Sequence, residues 1–95
     1  VHSAMEKVGG NSLDIVVSEV GWPAAGGPAA SNQNAATHNS NLIRHVRNSG
    51  TPKRPKKRIE TYIFSMFDED RKSEENLRHW GIFWNNKQAK YRINF

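Results

Sequence analysis

Apolar residues follow two different periods along the chain, and the changes of period predict an αβ order in its first part. An apolar stripe at helical spacing runs through residues 1–8, and Gly9 and Gly10 end the helix that it predicts. The stripe comprises Val1, Ala4, Met5 and Val8. Residues 13–19 predict a strand, because residues 15–17 form a continuous apolar run typical of strands buried on both faces.

The same two elements are predicted to repeat in the middle of the chain. Ser31 or Asn32 can cap a helix that runs to about Asn48, and Pro52 prevents it from resuming. Its expected buried face comprises Ala35, Ala36, Leu42, Ile43 and Val46. Residues 59–67 are rich in aromatic and β-branched types and predict a second buried strand. Short connections between such elements favour a parallel sheet, so the predicted fold class is α/β.

Beyond the second strand the chain becomes charged and then aromatic. Residues 68–75 predict a charged loop, with a helical turn toward Leu77. The aromatic residues of the tail are Trp80, Phe83, Trp84, Tyr91 and Phe95. We expect this tail to cover part of the protein surface or to line a cleft.

Two carboxylates are predicted to emerge at one edge of the sheet. Glu19 ends the first strand and Glu69 follows the second, and the carboxyl ends of parallel strands share an edge. That edge carries the chemistry in α/β barrels and open α/β sheets. The structural alternatives are an ion pair at a strand end for Glu19 and a solvated acidic loop for Glu69. Glu60 starts its strand and is expected at the opposite edge.

Three blocks of sequence resemble glycoside hydrolase family seventeen, the plant endo-1,3-β-glucanases. Residues 16–23, Val-Val-Ser-Glu-Val-Gly-Trp-Pro, resemble the family signature that contains its nucleophile. Residues 60–72 resemble the last barrel strand with its loop, and residues 80–83 with 91–95 form the third block. The blocks occur in the family's order, which makes the resemblance more specific than a single motif. It covers nearly the whole chain but only the C-terminal part of the family's barrel.

The resemblance implies a fold and an activity. The implied fold is about the last two βα units of a TIM (β/α)₈ barrel, with residues 1–95 as one partial domain, since a closed barrel needs about 250 residues. The implied reaction is retaining hydrolysis of internal 1,3-β-glucosidic bonds in glucans, with Glu19 as nucleophile and an acid/base Glu upstream of this chain. The isolated chain is therefore expected to be inactive. No cofactor is implied, and the parent is expected to be a monomer that is secreted to the cell wall or vacuolar.

The resemblance also implies a set of supporting residues. Glu69 and Lys72 correspond to charged groups of the family's cleft, where a lysine favours the ionised form of nearby carboxylates. Independently of the resemblance, Trp22, three residues after Glu19, and Phe67 are candidates to contact the sugar, because aromatic faces suit the C–H faces of glucose. Their structural alternative is hydrophobic packing. Leu77 departs from the family, which commonly carries a Glu at that position.

A cluster of positive charge is a second feature with a possible binding role. The 95 residues carry a net charge of +5, and the sequence pI is near 9.9. Much of the excess lies in the basic loop, residues 53–58. This loop is expected to be a solvated connection, with contact to a polyanion such as an acidic polysaccharide as the alternative. A nucleic-acid partner is not expected, because the basic run lacks interleaved aromatic residues. The alternative function for the chain is a non-catalytic glucan-binding or cationic defence fragment.

Composition limits the size of the core and excludes several other classes. Only 36% of residues are hydrophobic and the mean hydropathy is -0.79, which predicts a modest core. There is no cysteine to form a disulfide. No segment approaches the ~20 apolar residues of a membrane span. The four histidines lack the spacing of metal ligands.

Overall fold

A computed structural model describes residues 1–95 and confirms the αβαβ order. Two helices and two strands alternate, and a single 3₁₀ turn follows them in the region where a helical turn was predicted. The elements are α1 (His2–Lys7), β1 (Val16–Val20), α2 (Asn32–Asn48), β2 (Glu60–Ile63) and the 3₁₀ turn Glu75–Leu77.

The two strands form a parallel sheet, as the connections predicted. Val16 lies opposite Glu60 and Val20 lies opposite Ile63, with an irregularity in the register between Val17 and Val20. The ladder continues past β2, where the amide of Phe64 donates to the carbonyl of Val20 over 2.9 Å. Glu60 therefore begins the sheet at its amino edge, and Glu19 lies near its carboxyl edge.

The prediction that residues 15–17 are buried on both faces is wrong for this structure. No residue of β1 is fully buried, and Val16 is 46% exposed. With only two strands, each strand has one unpaired edge, and no second layer covers both faces. Both strands are also shorter than predicted, and β1 begins later in the chain, at Val16.

The apolar stripe of α1 is likewise not buried. Val1 and Val8 are each 85% exposed, and the helix contains no buried residue. Instead, Glu6 ties the helix to the basic loop through ion pairs with Lys53 and Arg54. The hydrogen bonds from these two cations lower the pKa of Glu6.

The longest element is α2, and it begins where the capping signal predicted. The hydroxyl of Ser31 accepts a hydrogen bond from the amide of Asn34 over 3.0 Å, which caps the helix. Its buried residues are spaced four apart, Ala35, Asn39 and Ile43, so the predicted face is only partly correct. Asn39 was not predicted, because a polar residue does not register in an apolar pattern.

Asn39 connects α2 to the aromatic tail. Its side-chain amide donates to the hydroxyl of Tyr91 over 2.8 Å, and its carbonyl oxygen lies 3.0 Å from Nδ1 of His38. Burial raises the pKa of the Tyr91 phenol. The hydrophobic core is small, as the composition predicted. It comprises Ala24, Ala35, Ile43 and Ile82.

Candidate active site

The segments that follow the two strands pack against each other at the carboxyl edge of the sheet. The amide of Ala24, in the loop after β1, donates to the carbonyl of His79 over 2.8 Å. Gly26 lies so close to the 3₁₀ turn that a Cβ there would be 2.9 Å from the carbonyl oxygen of Glu75. The loop after Glu19 and the segment after Glu69 thus form one surface.

Glu19 is exposed at this edge, and its carboxylate takes part in none of the ion pairs of the structure. The strand-end ion pair that was the alternative for Glu19 is therefore absent. Two residues after Glu19, at Gly21, the backbone passes very close to the end of β2. A Cβ on Gly21 would lie 2.1 Å from the carbonyl oxygen of Phe64 and 3.4 Å from the ring of Trp80. Only glycine allows β1 to continue so close to the end of β2.

Glu69 and Lys72 face each other within one short turn. The ammonium of Lys72 lies 3.1 Å from Oε2 of Glu69, and the Lys72 amide donates to the Glu69 carbonyl over 3.2 Å. Oε2 of Glu69 is shielded from solvent and has no hydrogen bond of good geometry. The charge partner of Lys72 is therefore Glu69 and not Glu19.

A buried cluster around Asp68 holds this turn in place, and sequence reasoning missed it. Oδ1 of Asp68 accepts hydrogen bonds from the amide of Gly81 and from the ammonium of Lys90, over 3.0 and 2.5 Å. The side chain of Lys90 is 0% exposed, and its ammonium lies 4.6 Å from the ring centre of Trp84. In the sequence, the only indication of this cluster was that Asp68 and Lys90 are charged residues that stand next to aromatic residues.

A second carboxylate, Glu75, pairs with residues of the following turn. Its Oε1 lies 2.6 Å from Nε2 of His79, and its Oε2 lies 3.2 Å from the guanidinium of Arg78. The hydrogen bond to His79 and the charges of both partners hold the pKa of Glu75 below its usual range. Leu77, in the same turn, is 38% exposed.

The two aromatic residues expected to contact sugar are held at this edge by different neighbours. The indole N–H of Trp22 donates to the carbonyl of Ala29 over 3.0 Å, and its ring lies 5.3 Å from that of His38. Phe67 packs against Phe83, with ring centres 5.9 Å apart, and stays 38% exposed. Both side chains thus make packing contacts, while each keeps some surface exposed to solvent.

The carboxyl edge of this parallel sheet thus combines one carboxylate outside any ion pair, one carboxylate held by a lysine, and partly exposed aromatic rings. Carboxylates and aromatic faces are the groups with which α/β enzymes of the glycan-cleaving class work. No group of three or more potential ligands is placed to hold a metal ion. None of the helices combines the length and apolar character needed to cross a membrane.

Comparison with known proteins confirms the family resemblance seen in the sequence. The family model of the glycosyl hydrolases family 17 matches residues 1–95, so the chain belongs to that family. It is 54% identical over 96 residues to a probable glucan endo-1,3-beta-glucosidase of Arabidopsis thaliana. It is also 53% identical over 95 residues to the basic vacuolar isoform of this glucosidase from Nicotiana plumbaginifolia.

The structural comparison agrees with the sequence comparison. The chain superposes on a plant β-glucan endohydrolase with a TM-score of 0.92 and 50% identity, over 99% of this chain and 30% of that one. The match covers all of this chain in both sequence relatives, but only 28% of the Arabidopsis protein and 26% of the Nicotiana protein. The chain thus corresponds to less than a third of each of these proteins.

Proposed function

We propose that these residues are the C-terminal part of a (β/α)₈ barrel in a polypeptide that hydrolyses internal 1,3-β-glucosidic bonds in glucans with retention of configuration. Glu19 is the nucleophile. It attacks the anomeric carbon, an acid/base Glu on the preceding part of the barrel protonates the leaving oxygen, and water then releases the glycosyl-enzyme. The relatives' names support the substrate class.

The observation that carries this proposal is the state of Glu19. It lies in the block that resembles the family's nucleophile signature, at the carboxyl edge of a parallel strand, exposed and outside every ion pair. A nucleophilic carboxylate must be ionised and free to form a covalent bond. Glu60, at the amino edge of the same sheet, instead accepts a hydrogen bond from Tyr62 over 3.3 Å.

The other site residues have supporting roles. The pair of Glu69 and Lys72 lines the cleft and fixes its local charge, and Trp22 and Phe67 present ring faces to the sugar. The chain alone is inactive in this proposal, because the acid/base residue and most of the cleft lie outside it. No cofactor takes part, and the whole polypeptide is a monomer located in the vacuole or the cell wall.

The test is Glu19→Gln in the natural polypeptide that contains this chain, assayed by release of reducing ends from laminarin. We expect kcat to fall by about 10³-fold or more, because glutamine keeps the shape of the side chain but is not a nucleophile. Glu60→Gln is the matched control and should leave kcat within a few-fold of the parent. A Glu19→Gln variant that keeps a tenth of the parent activity would refute the assignment.

Chemical rescue distinguishes a nucleophile from a carboxylate that only supports the fold. Glu19→Ala leaves space for a small anion, so added azide should restore cleavage of an activated aryl glucoside and yield the glucosyl azide of inverted configuration. The 95-residue chain, assayed alone on laminarin, should release no reducing ends. Activity of that chain that disappears with Glu19→Gln would overturn the proposal that the acid/base lies outside it.

A non-catalytic glucan-binding or cationic defence role is the second candidate, and the basic loop favours it. In that case binding to insoluble glucan persists in Glu19→Ala and falls when the cations of residues 53–58 are neutralised. The hydrolase proposal instead expects that Glu19→Ala abolishes catalysis and that neutralising the cations of residues 53–58 leaves catalysis unchanged.

A further inference from the structure

The basic loop lies at the other end of the sheet from Glu19. Lys57, in the loop, pairs with Asp14, which precedes β1. The sheet begins at the pair Val16 and Glu60, two residues after Asp14 and three residues after Lys57. At about 3.3 Å per residue, the five residue steps from Asp14 to Glu19 separate the two ends by about 16 Å. A ligand at the basic loop therefore leaves the carboxyl edge accessible.

This loop is a folded structure and not a flexible tail. The amide of Gly50 donates to the carbonyl of Pro55 over 2.9 Å, and the Lys57 amide donates to the Arg54 carbonyl over 3.2 Å. The chain closes over Gly50 so tightly that a Cβ there would lie 2.0 Å from the carbonyl oxygen of Arg54. Because the turns are formed in advance, a ligand does not have to order the backbone when it binds.

The positive charges of the loop exceed the carboxylates that reach it. Glu6 pairs with Lys53 and Arg54, and Asp14 pairs with Lys57. Two carboxylates thus offset two of the five cations, while Lys56 and Arg58 have no acidic partner. The existing pairs are partly exposed and therefore weak, so an anionic ligand can compete for their cations.

The surface of the loop has the shape of an open binding site. A shallow depression of about 540 Å³ is lined only by residues of the basic loop. These residues are Lys53, Arg54, Pro55, Lys56 and Lys57. An open cationic depression suits an extended polymer with regularly repeated anions better than a small ligand, which would need to be enclosed.

We propose that the basic loop is a binding surface for an acidic polysaccharide, a polymer of carboxylate-bearing sugars. Arginine and lysine bind carboxylates through charge-assisted hydrogen bonds. No aromatic residue occurs between Thr51 and Ile59, so the loop offers no face on which a nucleic-acid base could stack. The surface anchors the protein to an anionic matrix and leaves the opposite edge of the sheet free.

The test measures retention of the natural polypeptide on immobilised polygalacturonate. Lys56→Gln with Arg58→Gln removes the two unpaired cations without breaking an ion pair of the fold. We expect binding at low salt to weaken by about 30-fold, and the magnitude of the slope of log affinity against log salt to fall by about two. Circular dichroism should show an unchanged fold.

The matched control is Arg71→Gln with Lys87→Gln, which removes the same charge from two exposed residues that follow β2 in the chain and form no ion pair. Its affinity should stay within about 3-fold of the parent, because charges far from the bound polymer are screened. Equal weakening in both double variants would show attraction by net charge alone, and no weakening in either would show that the unpaired cations of the loop do not bind the polymer. Either result would overturn the proposal. Tighter binding to single-stranded DNA than to polygalacturonate at equal salt would also overturn it. The readout is binding, so the outcome is independent of the hydrolase assignment.

Discussion

Replacing Lys90 by methionine removes the cation of the most buried ion pair in the structure. Its side chain is 0% exposed and that of Asp68 is 9% exposed, whereas the Lys53–Glu6 pair is 49% and 31% exposed. Methionine is of similar length and fills most of the space, so the main effect is an uncompensated carboxylate at Asp68. That carboxylate keeps one hydrogen bond, from the amide of Gly81.

The expected loss follows from these contacts. Removing one partner of a buried ion pair costs about 3 to 5 kcal/mol, and the lost cation–π contact with Trp84 adds about 0.5 to 1 kcal/mol. The remaining Gly81 hydrogen bond and the neighbouring His79 ring, 4.0 Å from Asp68, reduce the loss. We therefore expect the free energy of unfolding to fall by about 3 kcal/mol.

Urea unfolding of the natural polypeptide, followed by tryptophan fluorescence, measures this change. Lys53→Met is the control, and its exposed pair should be worth less than about 1 kcal/mol. The double variant Asp68→Asn with Lys90→Met should be more stable than Lys90→Met alone, since asparagine carries no charge and still accepts from Gly81. If Lys90→Met costs no more than Lys53→Met, or if the effects of Asp68→Asn and Lys90→Met are additive, the buried pair does not hold the turn formed by Glu69 and Lys72.

Two further predictions concern packing and pH. Gly21→Ala should cost more than about 2 kcal/mol, because its Cβ would meet the backbone of Phe64, whereas Gly27→Ala, with open space around it, should be nearly neutral in the same urea assay. Tyr91→Phe should cost about 1 kcal/mol at pH 7, because the buried Asn39 amide loses its acceptor. Because the pKa of Tyr91 is raised in the native state, its contribution to stability is complete below about pH 10, the pKa in the unfolded chain. Above that pH the unfolded chain loses the phenolic proton first, so the contribution is lost as the pH rises through the native pKa. Tyr91→Phe should remove that part of the alkaline slope, and an unchanged slope in unfolding curves between pH 9 and 11 would contradict the assignment.

The carboxyl-edge site was partly predictable because strand direction and motif are local properties. Glu19 was placed at a strand end from the apolar run before it, and the parallel pairing that brings the two carboxyl ends to one edge followed from the connections. The partner of Lys72 did not follow, because an ion pair depends on side-chain positions within a loop. Whether Glu19, Glu69, Lys72, Trp22 and Phe67 act as proposed stays a prediction.

By itself the sequence determined the order of elements, the cap of α2 at Ser31, the family and the position of the basic loop, since each depends on residues close together in the chain. Only the tertiary structure showed that Asp68 meets Lys90 and that Asn39 meets Tyr91. It also showed that the apolar residues of α1 and β1 are largely uncovered in this chain. Periodicity identifies which face of an element is apolar, but burial depends on which other elements lie against that face. A buried polar contact between residues distant in the chain leaves no periodic signal, because both partners sit at positions that an apolar pattern counts as exceptions.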